Sequence, residues 1–71
     1  MKFTALIRQE GEVFSSLCLE LDVASTGATA EEAKSNLIEA IELYLEEATE
    51  EEVTTRYQPY SLVAPLEVKV G

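Results

Sequence analysis

The chain has no histidine, no tryptophan and a single cysteine, Cys18. Histidine is the commonest general base near neutral pH, so its absence removes the most frequent catalytic side chain. One cysteine forms neither a disulfide within the chain nor a Cys/His zinc site. Three widely spread glycines build no phosphate-binding loop. We therefore expect no enzyme activity, no metal and no other cofactor.

Basic residues are also scarce, with 5 Lys and Arg against 14 Asp and Glu, for a formal net charge of −9. Nucleic-acid binding needs Lys and Arg to neutralise phosphates, so we expect no direct contact with DNA or RNA. The charge instead favours a basic partner. Since the sequence has no signal peptide, no apolar run of membrane-spanning length and only one thiol, we expect a cytoplasmic protein that does not bind a membrane.

The chain of 71 residues predicts one small domain over residues 1–71. A domain of this size buries only about 60% of the surface that its unfolded chain exposes. Small domains usually gain further stability from disulfides, metals or association. With the first two excluded, we expect a homodimer or a higher homo-oligomer.

The first half of the chain has the two-residue period of strands. Residues 2–8 and 13–19 alternate in polarity around a tight turn at Gly11, which predicts a hairpin. Residues 21–26 are a candidate third strand. We expect the sheet face bearing Leu6, Phe14 and Cys18, or a sheet edge, to be available for pairing between subunits.

A strong helix-start signal follows the strands. Thr29 is placed as an N-cap, and Glu32 three residues later completes a capping box. Gly27 supplies a flexible corner ahead of the cap. The helix is predicted over residues 30–50. Its inward-facing residues are Ala33, Leu37, Ile38, Ala40, Ile41, Tyr44, Leu45 and Ala48.

Residues 49–61 are predicted as a connector, and residues 66–70 alternate as a last strand after Pro65. The fold class is therefore α+β, with the order β-β-β-α-β. An antiparallel sheet of three N-terminal strands and one C-terminal strand carries one long amphipathic helix on one face.

The outer helix face is crowded with glutamates, and Leu43 projects among them. Like charges four residues apart, as at Glu42–Glu46 and Glu46–Glu50, destabilise a helix slightly, which favours a positively charged partner. A solvated face with a tolerated surface leucine is the simpler interpretation. Our candidates for partner or subunit contact are Glu39, Glu42, Leu43, Glu46 and Glu50.

A metal-dependent nuclease is the catalytic alternative, because acids occur near several predicted strand ends. They are Glu10, Glu12, Glu20, Asp22 and Glu67. Two-metal catalysis requires several carboxylates to converge around metals about 4 Å apart. Nothing in the sequence makes these acids converge, so we interpret them as solvated turn and edge residues.

The order of elements and two motifs resemble the HicB antitoxin family. The first motif is Gly27-x-Thr29-x-x-Glu32-Ala33, and the second runs from Asn36 to Leu45 through Glu39-Ala40. The equivalent family stretch typically reads Gly-Asp-Thr, two further residues and Glu-Ala. The motifs cover about 20 residues, and those of the first (Gly27, Thr29, Glu32 and Ala33) have structural roles.

The resemblance implies a partly degraded RNase H-like fold and a stand-alone, non-catalytic antitoxin. HicB-like domains bind HicA toxins, which are small basic RNA-cleaving proteins, and occlude them. RNase H-like enzymes carry a metal-binding aspartate on the first strand, and residues 2–8 here contain no carboxylate. The resemblance therefore does not restore a nuclease.

The chain departs from the family pattern in three respects. Ala28 replaces the usual aspartate, residues 17–23 lack the usual proline and glycine, and no DNA-binding segment precedes Gly71. We therefore expect no direct repression of an operon. An orphan oligomeric module with a regulatory or scaffolding role, which has no toxin partner, is the alternative function.

Overall fold

The computed structural model describes residues 2–71, and it has α+β architecture. Three antiparallel strands form a sheet in the order β1 (Ala5–Glu10), β2 (Val13–Cys18) and β3 (Val23–Gly27). Two helices follow, α1 (Ala30–Glu47) and α2 (Glu50–Arg56). The α+β class, the antiparallel hairpin and the short third strand are thus confirmed, and every strand boundary lies within three residues of the predicted one.

The turn between β1 and β2 depends on Gly11, whose φ of 66° is in the left-handed region. The hairpin pairs Glu10 with Val13 at this end and Ala5 with Cys18 at the other. Beyond the strands, β2 and β3 are joined by a corner in which Asp22 has a φ of 57°. Aspartate tolerates this conformation better than most residues, because its short polar side chain forms local hydrogen bonds.

Helix α1 lies across one face of the sheet and closes a small core. The Ser16 hydroxyl on β2 donates to the Ala33 carbonyl on α1 at 2.8 Å. The buried apolar residues are Cys18, Leu21, Ala33, Leu37 and Ile41, and Phe3, Val23, Tyr44, Leu45 and Tyr57 contact this core from its margins. Between residues 2 and 71, neither helix combines the length and apolar character needed to cross a membrane.

The prediction that Leu6, Phe14 and Cys18 share a sheet face available for pairing between subunits is wrong for two of these residues. Cys18 is fully buried beneath α1, and Phe14 shares its face because the two positions are four residues apart on β2. Leu6 is on the opposite, open face, where it pairs with Leu17. The strand register determines which side chains α1 covers, since a shift of one residue along a strand moves a side chain to the other face of the sheet.

The single long helix is also a wrong prediction. Helix α1 ends at Glu47, Ala48 is extended, and Thr49 begins a second helix inside the predicted connector. The Thr49 hydroxyl accepts from the Glu52 N–H at 3.1 Å, and the Glu52 carboxylate accepts from the Thr49 N–H at 3.0 Å. This complete capping box starts a new helix.

Ile38, predicted to face inward, is 49% exposed.

The predicted last strand is absent from the described residues. Residues 57–71 have no regular secondary structure, and Leu66, Val68 and Val70 are 76–95% exposed. Alternation by itself does not form a strand, because the backbone needs a neighbouring ladder to satisfy its hydrogen bonds. In this structure no strand lies beside residues 66–70.

The Gly27 motif has the predicted helix-start role with two differences. The Thr29 hydroxyl accepts from the Glu32 N–H at 3.0 Å, as expected, but the Glu32 carboxylate accepts from Ala28 instead of Thr29, at 2.9 Å. Gly27 is required because the backbone of α1 leaves no space for a side chain there, and not because the corner must be flexible. A Cβ there would clash with the Ala33 backbone nitrogen and would lie 2.8 Å from the Glu32 carbonyl carbon, inside van der Waals contact.

Candidate partner-binding surface

Four of the five predicted contact residues form one stripe along the outer side of α1. Glu39, Glu42, Leu43 and Glu46 follow the i, i+3, i+4, i+7 spacing of a single helix face, and all four are exposed. We refer to them as the outer stripe. Ala33, Leu37 and Ile41 are buried on the opposite side. The outer stripe therefore faces directly away from the sheet.

The charge of the outer stripe is not compensated within the described residues. In the described part of the chain, residues 2–71, the ion pair found joins Arg8 and Glu10 on β1 and involves no residue of α1. The last turn of α1 contains no basic residue. Glu46 and Glu47 lie there, close to the negative end of the helix dipole, where acidic side chains are unfavourable. This arrangement lowers helix stability slightly and leaves a negative surface.

Leu43 gives the outer stripe an apolar centre. Its side chain is 55% exposed, between the glutamates of neighbouring turns. A single exposed leucine needs no special explanation. An apolar residue surrounded by charged groups nevertheless matches the organisation of a protein interface, in which a water-excluding centre is bordered by a polar rim.

Glu50, the fifth predicted contact residue, does not continue the outer stripe. It is in the first turn of α2, after the chain has changed direction at Ala48 and Thr49. The predicted repulsion between Glu46 and Glu50 across one helical turn is therefore absent, because the two residues belong to different helices. In the first turn of α2, Glu50 interacts favourably with the positive end of that helix dipole. Thr49, chiefly through its backbone N–H, lowers the pKa of Glu52 in the same turn.

Sequence reasoning missed the importance of Arg56. Its guanidinium donates to the Leu21 carbonyl and, at 3.0 Å, to the Asp22 carbonyl. It also lies 5.1 Å from the ring centre of Tyr44 on α1. Arg56 therefore connects α2, α1 and the corner between β2 and β3. The signal in the sequence was a single arginine within an acidic segment. Its partners are backbone carbonyls, and a sequence does not show which carbonyls a side chain will bind.

Glu20 has a structural role that its place among the metal candidates did not suggest. It is only 5% exposed. Its carboxylate accepts from the Thr4 N–H at 2.6 Å and the Thr4 hydroxyl at 2.7 Å. Burial would raise the pKa of this carboxyl, but the hydrogen bonds from Thr4 outweigh burial and hold the pKa below its ordinary value. Glu20 thus attaches the start of the chain to the sheet.

The other candidate metal ligands do not converge around Glu20. Among residues 2–71, no group of three or more Asp, Glu or Cys side chains is arranged to hold a metal ion. Glu10 and Glu12 flank the hairpin turn, and Glu67 is in the exposed C-terminal segment.

No protein-family model, curated protein or solved structure matches this chain.

Proposed function

We propose that this chain is a non-catalytic protein-binding module, an antitoxin that neutralises a small basic RNA-cleaving protein of the HicA type by covering it. The uncompensated charge of the outer stripe is the observation that carries the proposal. Three exposed glutamates surround Leu43 on one helix face. A basic partner would relieve their mutual repulsion and, for Glu46 in the last turn of α1, the conflict with the helix dipole.

The overall charge distribution supports the same partner. The chain has a net charge of −9, and four of its five basic residues lie outside α1. Opposite charges accelerate association and select a partner, whereas phosphate backbones are repelled. The proposal therefore includes a basic protein as partner and no direct contact with DNA or RNA. A cytoplasmic location is part of the proposal, in keeping with the single thiol.

The mechanism we propose is occlusion. A rigid helix presents the outer stripe, since the opposite side of α1 is anchored in the core through Ala33, Leu37 and Ile41. A basic RNA-cleaving protein binds its substrate through positive surface. Glutamates that bind this surface compete with RNA phosphates directly. Inhibition then requires no chemical step by this chain.

The test is a comparison of two charge-reversed double variants that have equal net charge. Glu42→Lys with Glu46→Lys alters the outer stripe, and Glu10→Lys with Glu12→Lys makes the same change at the hairpin turn. Each pair replaces two negative charges by two positive ones and so changes the net charge from −9 to −5. Tagged proteins are used to capture partners from native lysate, and captured basic proteins are assayed for RNA cleavage with and without this chain.

We expect the unaltered chain and the turn variant to capture a small basic protein and suppress its RNA cleavage. The outer-stripe variant should fail in both respects, and high salt should release the partner. Equal inhibition by the two variants would refute the assigned surface. If no RNA-cleaving partner were recovered, the antitoxin proposal would fail, and the orphan-module alternative would take its place.

A further inference from the structure

The C-terminal segment of the chain has the composition of a strand but lies apart from the rest of the molecule. We call residues 66–70 the tail strand. The side chains of Leu66, Val68 and Val70 share one side of it, and Glu67 and Lys69 share the other. The Cα radius of gyration is 14.2 Å, whereas a compact chain of this length has about 11 Å. The tail therefore extends beyond the folded body.

The β1 edge of the sheet is open. The strand order is β1-β2-β3, so β1 and β3 each have one free side. On β3, the Thr26 carbonyl already accepts from the Asn36 side chain at 2.8 Å. The β1 edge therefore offers the less obstructed row of backbone donors and acceptors, which is a site for an added strand.

An exposed apolar strip lies beside this edge. Asn36 contacts β3, and Ile38 is about 200° further around the α1 axis, so Ile38 lies on the β1 side of the helix. Its side chain is 49% exposed. Ile7 on β1 faces α1, because it pairs with Ser16, and it is half-buried. A strand added here would cover both isoleucines with its apolar side.

The charges at the edge also match the tail strand. Arg8 and Glu10 project from β1 on the open face of the sheet, the same face as Leu6. A tail strand that covers the isoleucines places Glu67 and Lys69 on that open face. In a parallel register, Glu67 lies beside Arg8 and Lys69 lies beside Glu10. Both cross-strand pairs are then of opposite charge, which is the favourable arrangement.

We propose that two copies of this chain exchange tail strands, each pairing with the β1 edge of the other to form a closed two-fold dimer. The segment that leads to the tail strand begins beside the start of its own β1. There the Tyr57 hydroxyl donates to the Lys2 carbonyl at 3.2 Å, and the Gln58 N–H donates to the Glu20 carbonyl at 2.7 Å. From there it extends outward, free of its own β1. Exchange of identical elements is a low-cost route to a dimer.

A small core favours this assembly. Five apolar residues are buried in the described part of the chain, whereas Leu62, Val63 and the three apolar residues of the tail strand are 65–95% exposed. Mutual pairing buries the apolar tail and the β1 strip of both copies at once, and it leaves no free tail to recruit further chains. The inference is independent of the proposed function, because it does not involve the outer stripe.

The decisive experiment is isotope-filtered nuclear Overhauser spectroscopy on an equal mixture of carbon-13-labelled and unlabelled full-length protein, together with sedimentation analysis. We expect a particle of twice the 7.8 kDa chain mass, with contacts between Leu66 or Val68 methyls of one copy and Ile7 or Ile38 of the other. A monomer whose tail contacts its own β1 edge would overturn the proposal. A dimer without these contacts between copies would overturn it as well.

A matched pair of proline variants provides a second test. Val68→Pro removes one backbone donor from the tail strand, whereas Ala64→Pro makes the same change before it. Because each dimer contains two tail strands, we expect Val68→Pro to raise the dimer dissociation constant about tenfold or more. Ala64→Pro should leave it unchanged. Equal dissociation constants for the two variants would contradict strand exchange, provided that both retain the helical circular dichroism of the original chain.

Discussion

At the residue scale, close packing and hydrogen bonding determine which side chains matter. Gly27 permits the end of β3 to approach the first turn of α1, where the nearest atoms are backbone and cannot rotate away. Glu20 and Arg56 each hold two polar groups from other parts of the chain. These three residues stabilise the fold more than any outer glutamate does, since the glutamates of the outer stripe face solvent.

Replacement of Gly27 by alanine should destabilise the protein by about 1–3 kcal/mol, because the added methyl group forces the backbone of α1 to shift. Urea unfolding at constant protein concentration measures the effect. Gly71→Ala is the matched control, since a Cβ there meets nothing within 4 Å. Equal stability of the two variants would show that α1 moves away from Gly27 at no cost.

The contribution of Glu20 to stability should depend on pH. Its pKa is lower in the folded chain than the ordinary value of 4.5, so folding favours the ionised carboxylate. The stabilisation is present above pH 4.5 and is lost as the pH falls through the lower, folded-state pKa. Glu20→Gln should therefore cost about 1–2 kcal/mol at pH 7 and much less at pH 3.

Glu12→Gln is the control for this pH dependence, because it removes the same charge from an exposed turn. Urea unfolding of all three proteins across this pH range separates the role of Glu20 from the general loss of negative charge. A cost for Glu20→Gln that does not change with pH would contradict the role of its ionised form.

At the scale of the elements, caps decide where the helices begin and end. The apolar residues at helical spacing continue past Glu47 to Ala48. Helix α1 nevertheless ends at Glu47, because Thr49 caps a new helix. Helix α2 has no buried residue. Its position depends on its cap, on Val53 and Tyr57, which are partly buried, and on the bonds made by Arg56.

Thr49→Ala should destabilise α2 by about 1 kcal/mol, since it removes the hydroxyl that accepts from the Glu52 N–H. Amide hydrogen exchange over residues 50–56 should accelerate, while exchange in α1 changes little. Thr54→Ala, at an exposed position within the same helix, provides the control. If both variants exchange at the same rate, then the packing of Val53 and Tyr57 and the hydrogen bonds of Arg56 hold α2 without the cap.

At the scale of the whole molecule, repulsion among like charges opposes folding. A net charge of −9 on 71 residues destabilises the compact state, and dissolved salt screens this effect. Uncompensated glutamates on α1 contribute to it, and a basic partner would relieve it. The same imbalance that supports the proposed function therefore has a measurable cost for the isolated chain.

Raising sodium chloride from about 0.05 M to about 0.5 M, where the screening length becomes much shorter, should raise the melting temperature by several degrees. Roughly 1 kcal/mol corresponds to about 4–8 °C for a domain of this size. The outer-stripe variant with Glu42→Lys and Glu46→Lys should show a smaller increase, measured at one protein concentration. A melting temperature that falls with salt would contradict net repulsion.

The sequence by itself determined the α+β class, the hairpin at Gly11, the helix start at Thr29 and the exposure of Leu43. These features depend on local conformation and on the period of side chains along one element, which are present in the sequence itself. Four residues of the candidate surface were predictable for the same reason, because they repeat at the spacing of one helix face.

Only the tertiary structure decided which sheet face α1 covers, where α1 ends, and that residues 66–70 lie unpaired. It also revealed the packing limit at Gly27 and the carbonyl partners of Arg56. Each of these depends on contacts between segments far apart in the chain. Strand register, backbone approach and the presence of a neighbouring ladder are not properties of any single segment, so local patterns do not determine them.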